Sequence, residues 1–325
     1  MKANMSRRPK GALAIGALAA AVAAQALFLL LVFGPSLSVL VLLSNGVQFL
    51  PWVGGVALAV LALVWRRDGA RWWIAGSALL WLVLCLWLMS TRAPPWPAPG
   101  AAHAPASAPL RIVSFNAWLA IKDPEGAARW ILAQKADAVI LMEVGWRSRV
   151  LLTRLALHYP YVVTCRGTRR CSTVILSLRA PIEMRGLARG DADNREALSA
   201  VIMRFADFTL VGVHLSQPWP LAQQREELAL LKQALRTVPR RHLVVVGDYN
   251  ATGWSITMRD AASSLLLKPL APDRASWPAP ASGLPLPTLF AIDHALLGTG
   301  WMAARLERGP ALGSDHYPYV LTLER

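Results

Sequence analysis

Two hydrophobic regimes divide the chain. From Gly11 to Phe33 no charge interrupts the apolar run, which is long enough to span a bilayer. Residues 46–65 form a second such run, and 72–89 a third near the lower length limit. The stretch 37–43 is also apolar; it extends one span or lies at the interface. After these, residues 91–109 are rich in Pro and Ala and lack apolar periodicity, which predicts an extended, partly stiff linker. From Leu110 to Arg325 short apolar runs alternate with longer amphipathic ones. Strands are predicted at 110–115, 138–142, 161–164, 173–177, 198–205, 209–214, 243–247, 291–297 and 317–323. Helices are predicted at 124–134, 146–157, 221–237 and 255–264, the first capped by Asp123 with Pro124 in its first turn. The expected architecture is a membrane region over 1–90, a linker over 91–109, and an α/β domain over 110–325. In that domain sheet packs on sheet, with helices outside.

Charge adds a direction. Lys2, Arg7, Arg8 and Lys10 precede the first span, and Arg66, Arg67 and Arg71 lie between the second and third. No Lys or Arg separates the first from the second. The excess of positive charge on cytoplasmic loops then puts the N-terminus inside. Three spans leave the α/β domain outside the cytoplasm, at the inner (plasma) membrane. Two spans with a buried hairpin would return it to the cytoplasm. A cleaved signal peptide ending near Ala24-Gln25-Ala26 is disfavoured, because the apolar run resumes at Leu27. The net charge of +15 also includes Arg166, Arg169 and Arg170, a basic loop suited to anionic head groups or phosphate. Cys165 and Cys171 flank this loop. In an extracytoplasmic domain they are candidates for a disulfide that spacing alone does not establish.

Candidate chemistry sits where strands stop. Gly247-Asp248-Tyr249-Asn250 follows the run Leu243–Val246, and an Asp and an Asn two apart on an extended segment point the same way. One is an anionic acceptor, the other a neutral amide able to bind a phosphoryl oxygen. Ser114-Phe115-Asn116, Leu141-Met142-Glu143 and Gly212-Val213-His214 end other strands. Ile292-Asp293-His294 lies in a late strand, and Ser314-Asp315-His316 precedes the last. If these ends share one rim, their polar side chains converge. Each residue also has a plain structural use: Asn116 in a turn, Glu143 at a helix start, His214 in the core, Asp293 on an edge strand. His294, adjacent to Asp293, should face the opposite way and be structural, and Tyr249 should pack. His103, His158 and His242 have no such setting and read as linker or surface residues.

These segments, in this order, resemble the endonuclease/exonuclease/phosphatase superfamily over essentially all of 110–325. The three spans, the Pro-rich linker and the segment Asn250–Ser255 are similar to a bacterial subgroup that includes membrane-anchored teicoplanin-resistance proteins. The resemblance implies a four-layer α/β sandwich and use of Mg²⁺ or Mn²⁺. It implies that Glu143 is the principal metal ligand, with Asn116 beside it and Asp315 nearby. Asp248 would orient or deprotonate the attacking water, and Asn250 and His214 would contact phosphate. His316 would be the catalytic histidine, oriented by Asp293. Whether Asp248 or His316 is the base stays open. Trp118 stands where some relatives carry a second acid, and Gly253 where the subgroup tends to have Pro.

A hard divalent cation prefers oxygen ligands, and Glu143, Asn116 and Asp315 supply them. The expected activity is metal-dependent hydrolysis of a phosphoester or pyrophosphate at the bilayer, with a lipid-linked substrate as one candidate. A nuclease acting on extracytoplasmic DNA or RNA would use the same site. A catalytically silent, membrane-tethered binding module is the third reading.

Overall fold

The computed structural model describes residues 8–33, 40, 43–64, 70–92, 108–165, 172–187, 199–219 and 221–325. Most of the linker, the basic loop with Cys171, and several charges that set the expected orientation lie outside these residues. Two units divide the chain, one largely N-terminal and one holding nearly all of the α/β domain.

The N-terminal unit contains helices α1 (Arg8–Phe33), α2 (Leu50–Val64, entered through a 3₁₀ turn at Val47–Phe49) and α3 (Ala70–Arg92). Phe28 of α1 meets Trp81 of α3 edge to face at 5.3 Å. Gly54 of α2 leaves room for that indole, since a Cβ there would lie 2.6 Å from Trp81 Nε1. Among the described residues, two helical stretches are long and apolar enough to cross a membrane, Leu13–Leu31 and Val47–Val64. The expected third span lies in α3, whose apolar stretch among the described residues, Ile74–Trp87, is shorter than these two. Arg71 and Arg92, with Trp72 and Trp73, take up its ends.

The second unit has two six-stranded sheets. The first runs β11 (Ala303–Arg308), β12 (Tyr319–Glu324), β1 (Leu110–Asn116), β2 (Ala138–Met142), β4 (Val174–Ser177), β3 (Tyr161–Thr164). The second runs β5 (Glu183–Leu187), β6 (Ser199–Arg204), β7 (Thr209–His214), β8 (Leu243–Asp248), β10 (Asp293–Leu297), β9 (Lys268–Leu270). Each sheet has one parallel pair at its centre, β1/β2 and β7/β8, and antiparallel neighbours outside it. The two sheets therefore repeat one pattern of strand directions.

The sheets pack face to face. Ile112, Ile140 and Ile175 of the first belong to one buried cluster with Val201, Met203, Val244 and Val246 of the second. The outer face of the first sheet is covered by α4 (Pro124–Ala133) and α5 (Arg149–Ala156), through Ala127, Ile131, Leu151 and Leu155. The outer face of the second is covered by α6 (Leu221–Ala234) and α7 (Ile256–Leu265), through Leu228, Leu231, Met258 and Leu265. These four layers bury both faces of the central strands, so β2 and β8 read as unbroken apolar runs. Asp123 caps α4 as expected, its carboxylate accepting from Gly126 N at 2.8 Å with Pro124 at the first turn.

Three strands escaped the hydrophobic pattern. β5 is half exposed, β9 has three residues including a proline, and β11 mixes charges with apolar residues. All three form by pairing with strands already present. Helix α5 begins at Arg149 rather than 146, because Ser148 Oγ folds back onto Gly145, donating to its carbonyl and accepting from its N–H.

Gly247, beside the end of β8, has φ +153°, and a Cβ there would stand 1.9 Å from the Val213 carbonyl oxygen. Only glycine permits this approach of β8 to β7. Gly247→Ala is expected to cost about 2–3 kcal/mol, read as a lowered denaturant midpoint of the full chain. An unchanged midpoint would show that these backbones stand further apart.

Candidate active site

The repeated strand pattern delivers the polar residues. In the first sheet the parallel strands β1 and β2 end at Asn116 and just before Glu143, and antiparallel β12 is entered through Ser314-Asp315-His316. In the second, β7 and β8 end at His214 and Asp248, which are register partners, and antiparallel β10 begins at Asp293, the partner of Asp248. Two sheet ends thus bring together residues far apart in sequence.

The turns at these ends are built alike. Trp118 N donates to Asn116 Oδ1 at 3.0 Å, and Asn250 N to Asp248 Oδ1 at 2.7 Å. His316 N donates to Ser314 Oγ at 3.0 Å. Asn and Asp favour such turns because their side chains reach the backbone two residues on. Trp118, Glu143 and Asn250 each take positive φ (57°, 51° and 48°), a costly conformation for non-glycine residues.

Asn116 joins the sheets. Its buried Nδ2 donates to Glu143 Oε1 at 2.9 Å and to Asp248 Oδ2 at 3.0 Å. His214 Nε2 lies 3.7 Å from Glu143 Oε1 and 3.8 Å from Asp248 Oδ2, and Asn250 Nδ2 is 3.5 Å from the same nitrogen. Asn250 Nδ2 also donates to the Leu215 carbonyl at 2.8 Å. His316 Nδ1 is 2.8 Å from Asp293 Oδ2, and its Nε2 is 3.7 Å from Asp248 Oδ2. Ser314, quoted in its motif but given no role, donates to the Asn116 carbonyl at 2.7 Å and so ties β12's entry to β1.

Burial sets the protonation states. Asp248 is pushed up to about 6 by burial and by the Asp293 charge, against the opposing pull of His316 and His214. Burial works against charge on His316, but Asp293 and Asp248 outweigh it and push this histidine up to about 10. At neutral pH His316 is therefore an imidazolium held between two carboxylates. Asp315 is raised by burial and by nearby Glu143, and accepts a hydrogen bond from the Trp277 side chain. His294 is held below its usual value by burial, with Nε2 2.9 Å from the Ala251 carbonyl oxygen. It is a core residue, as is Tyr249, whose hydroxyl donates to Val245 O. His158 is exposed and His242 packs on Trp301; His103 lies outside the described residues.

Among the described residues, two groups of ligand atoms could hold a cation. Those of Glu143, His214 and Asp248 lie within 4.8 Å of one another, as do those of Asp248, Asp293 and His316. In the second group the Asp293–His316 contact already uses both partners. The first has two carboxylates and one imidazole, donors that suit a divalent ion. Asn116 borders this group with its amide nitrogen, its Oδ1 being taken by Trp118 N. Asp315 belongs to neither group, though the Glu143 charge reaches it across the rim.

The family model described as "Endonuclease/Exonuclease/phosphatase family" matches residues 113–316. The chain belongs to this family. It is accordingly a hydrolase acting on ester bonds, in a family of divalent-metal-dependent enzymes. Solved structures share the fold. Sphingomyelinase C from Streptomyces griseocarneus is 17% identical, covering 66% of this chain and 99% of its own, with a TM-score of 0.51. A beta toxin variant from Staphylococcus aureus with bound magnesium ions is 14% identical, covering 67% and 100%, with a TM-score of 0.55. An endonuclease/exonuclease/phosphatase from Bacteroides vulgatus is 15% identical, covering 67% and 99%, with a TM-score of 0.53. No individually curated protein matches the chain.

The His316–Asp293 pair makes a pH prediction. In the metal-free chain the His316 ring is expected to stay protonated through neutrality and titrate near 10, followed by imidazole NMR. Because the folded value is raised, its stabilising contribution is complete below the ordinary histidine value of about 6.5. That contribution is lost as pH rises toward 10. Asp293→Asn should lower the midpoint and destabilise the protein more at pH 6 than at pH 10. A His316 midpoint near 6.5 in the unsubstituted chain would overturn the assignment.

Proposed function

We propose that this chain is a membrane-anchored phosphohydrolase that uses Mg²⁺ or Mn²⁺ to cleave phosphoester or pyrophosphate bonds of a lipid-linked substrate. The observation that carries the reading is the rim where Asn116 bridges Glu143 and Asp248 while His316, braced by Asp293, faces Asp248. Phosphoryl transfer requires positioning and compensation of negative charge more than covalent chemistry. A cation held by Glu143 with Asp248 and His214 would supply charge neutralisation and polarisation of the ester.

The chain's own groups supply the rest. Asp248 can accept a proton from an attacking water or hold it in line, since its raised value keeps it basic near neutrality. His316 can donate a proton or a charged hydrogen bond to the phosphoryl group, with Asp293 fixing the ring through Nδ1. His214 and Asn250 can bind phosphoryl oxygens as neutral or positive donors, and the Asn250 link to Leu215 sets their spacing.

Two apolar helices support anchoring, which raises the local concentration of membrane substrates. We place α3 as the completing span, since its 23 residues would extend about 34 Å. The domain then faces away from the cytoplasm, the orientation that the positive charges before the first span favour. Sphingomyelinase C among the structures of the same fold is in keeping with a lipid phosphoester.

The test uses the full chain in detergent with Mg²⁺ or Mn²⁺, offered sphingomyelin, an isoprenyl pyrophosphate, and single- and double-stranded DNA in parallel. Turnover of a lipid is expected. EDTA should abolish it, and Asp248→Ala or His316→Ala should each lower kcat about 10²–10⁴-fold. Cleavage of DNA alone would make the protein a tethered nuclease. Metal binding with no turnover of any substrate would favour the binding module.

A further inference from the structure

Helix α6 covers the second sheet with an apolar face, yet two polar residues three positions apart on it are buried. Gln224 and Glu227 are each 1% exposed. Burying such groups is costly unless they are hydrogen-bonded. Their partners are the backbone of the two loops that carry His214, Asp248 and Asn250.

Glu227 holds the loop after β7. Its carboxylate accepts from Ser216 N at 2.8 Å and from Ser216 Oγ at 2.5 Å, two residues past His214. Gln224 holds both loops. Its Nε2 donates to the Ser216 carbonyl at 2.6 Å and to the Tyr249 carbonyl at 3.2 Å. Tyr249 lies between Asp248 and Asn250. Thr257 of α7 donates to Gln224 Oε1 at 3.1 Å, which orients the amide so that both its N–H groups face the loops. One side-chain amide is therefore a strut of fixed length between the two strand ends. These loops are also linked by Leu215 N donating to the Asp248 carbonyl at 2.9 Å, the last backbone rung between them, and by Asn250 Nδ2 donating to Leu215 O, a bond made by a site residue itself.

We infer that Gln224 is a positioning residue of the active site: with Thr257 and Glu227 it fixes the loop after His214 against the Tyr249–Asn250 turn, beyond the last backbone rung between β7 and β8. Gln224 touches no reacting atom. It acts through the backbone, and its removal lets the two loops drift while the sheets stay packed. The inference rests on the hydrolase reading for its kinetic consequence, though not for its geometric one. Nothing local in the sequence marks the residue, because a glutamine on an amphipathic helix ordinarily faces water.

The experiment substitutes Gln224→Met, which keeps length and volume but removes both donors, in the full chain in detergent. The expected result is a drop in kcat of about 100-fold, the scale of a misplacement of about 1 Å, with a folded far-UV spectrum. Thr257→Val should give a smaller drop in the same direction, and none beyond Gln224→Met when the two are combined. In a His214→Ala background, Gln224→Met should lose most of its effect, because the group it positions is gone. A purely structural role would instead lower activity by the same factor in both backgrounds, and that result would overturn the inference. So would an unchanged kcat. A second readout does not depend on turnover: the His214 imidazole resonances should shift in Gln224→Met while those of exposed His158 stay fixed. If the unsubstituted chain hydrolyses none of the substrates offered, the hydrolase reading fails and this spectrum alone decides the geometric claim. Unmoved His214 resonances would reject it.

Discussion

Carboxylates crowd one rim of this domain, and everything around them answers that constraint. Glu143, Asp248, Asp293 and Asp315 approach from both sheets, and Asp248 and Asp293 are almost fully buried. Burial first, and then repulsion from Asp293, makes Asp248 hold its proton to a higher pH than a free carboxyl. Three compensations are visible. Asn116 shares its amide protons between Glu143 and Asp248, His316 carries a positive charge between Asp248 and Asp293, and His214 stands within 4 Å of Glu143 and Asp248. The remaining acidity belongs to a site suited to a divalent cation.

Holding such a cluster demands a rigid frame, and the two sheets provide it. Each contributes the ends of a parallel strand pair and the start of one antiparallel neighbour. Apolar side chains between the sheets set the separation, and helices outside exclude water from their far faces. Cores packed at crystal-like density deform little, so the strand ends keep their relative positions. At the rim Trp118, Glu143 and Asn250 turn through left-handed backbone, as Lys135 and Leu266 do elsewhere in the domain. Side-chain hydrogen bonds from Asn116 and Asp248 hold two of those turns.

The proposed function rests on two features of one chain, apolar helices at the N-terminus and the acidic rim of the second unit. The basic excess of the sequence is compatible with an anionic substrate or surface.

The sequence by itself determined the strands that form the middle of each sheet, because residues buried on both faces leave unbroken apolar runs such as 138–142 and 243–247. It also marked strand ends, since Asn116, Glu143, His214 and Asp248 interrupt those runs with groups that cannot stay in the core. Capping at Asp123 was legible for a similar reason, being a contact over three residues. Tertiary structure alone decided the edge strands β5, β9 and β11, which exist through pairing rather than through their own composition. It decided that α5 starts after a Ser148 turn. Most of all it decided distances: that the Asn116 amide reaches an acid from each sheet, that Glu143 groups with His214 and Asp248 while Asp315 stands apart, and that Gln224 points inward to brace two loops. Periodicity reports which face of an element is buried, but not which other element arrives there. The contacts that matter at this rim join residues separated by as many as 198 positions.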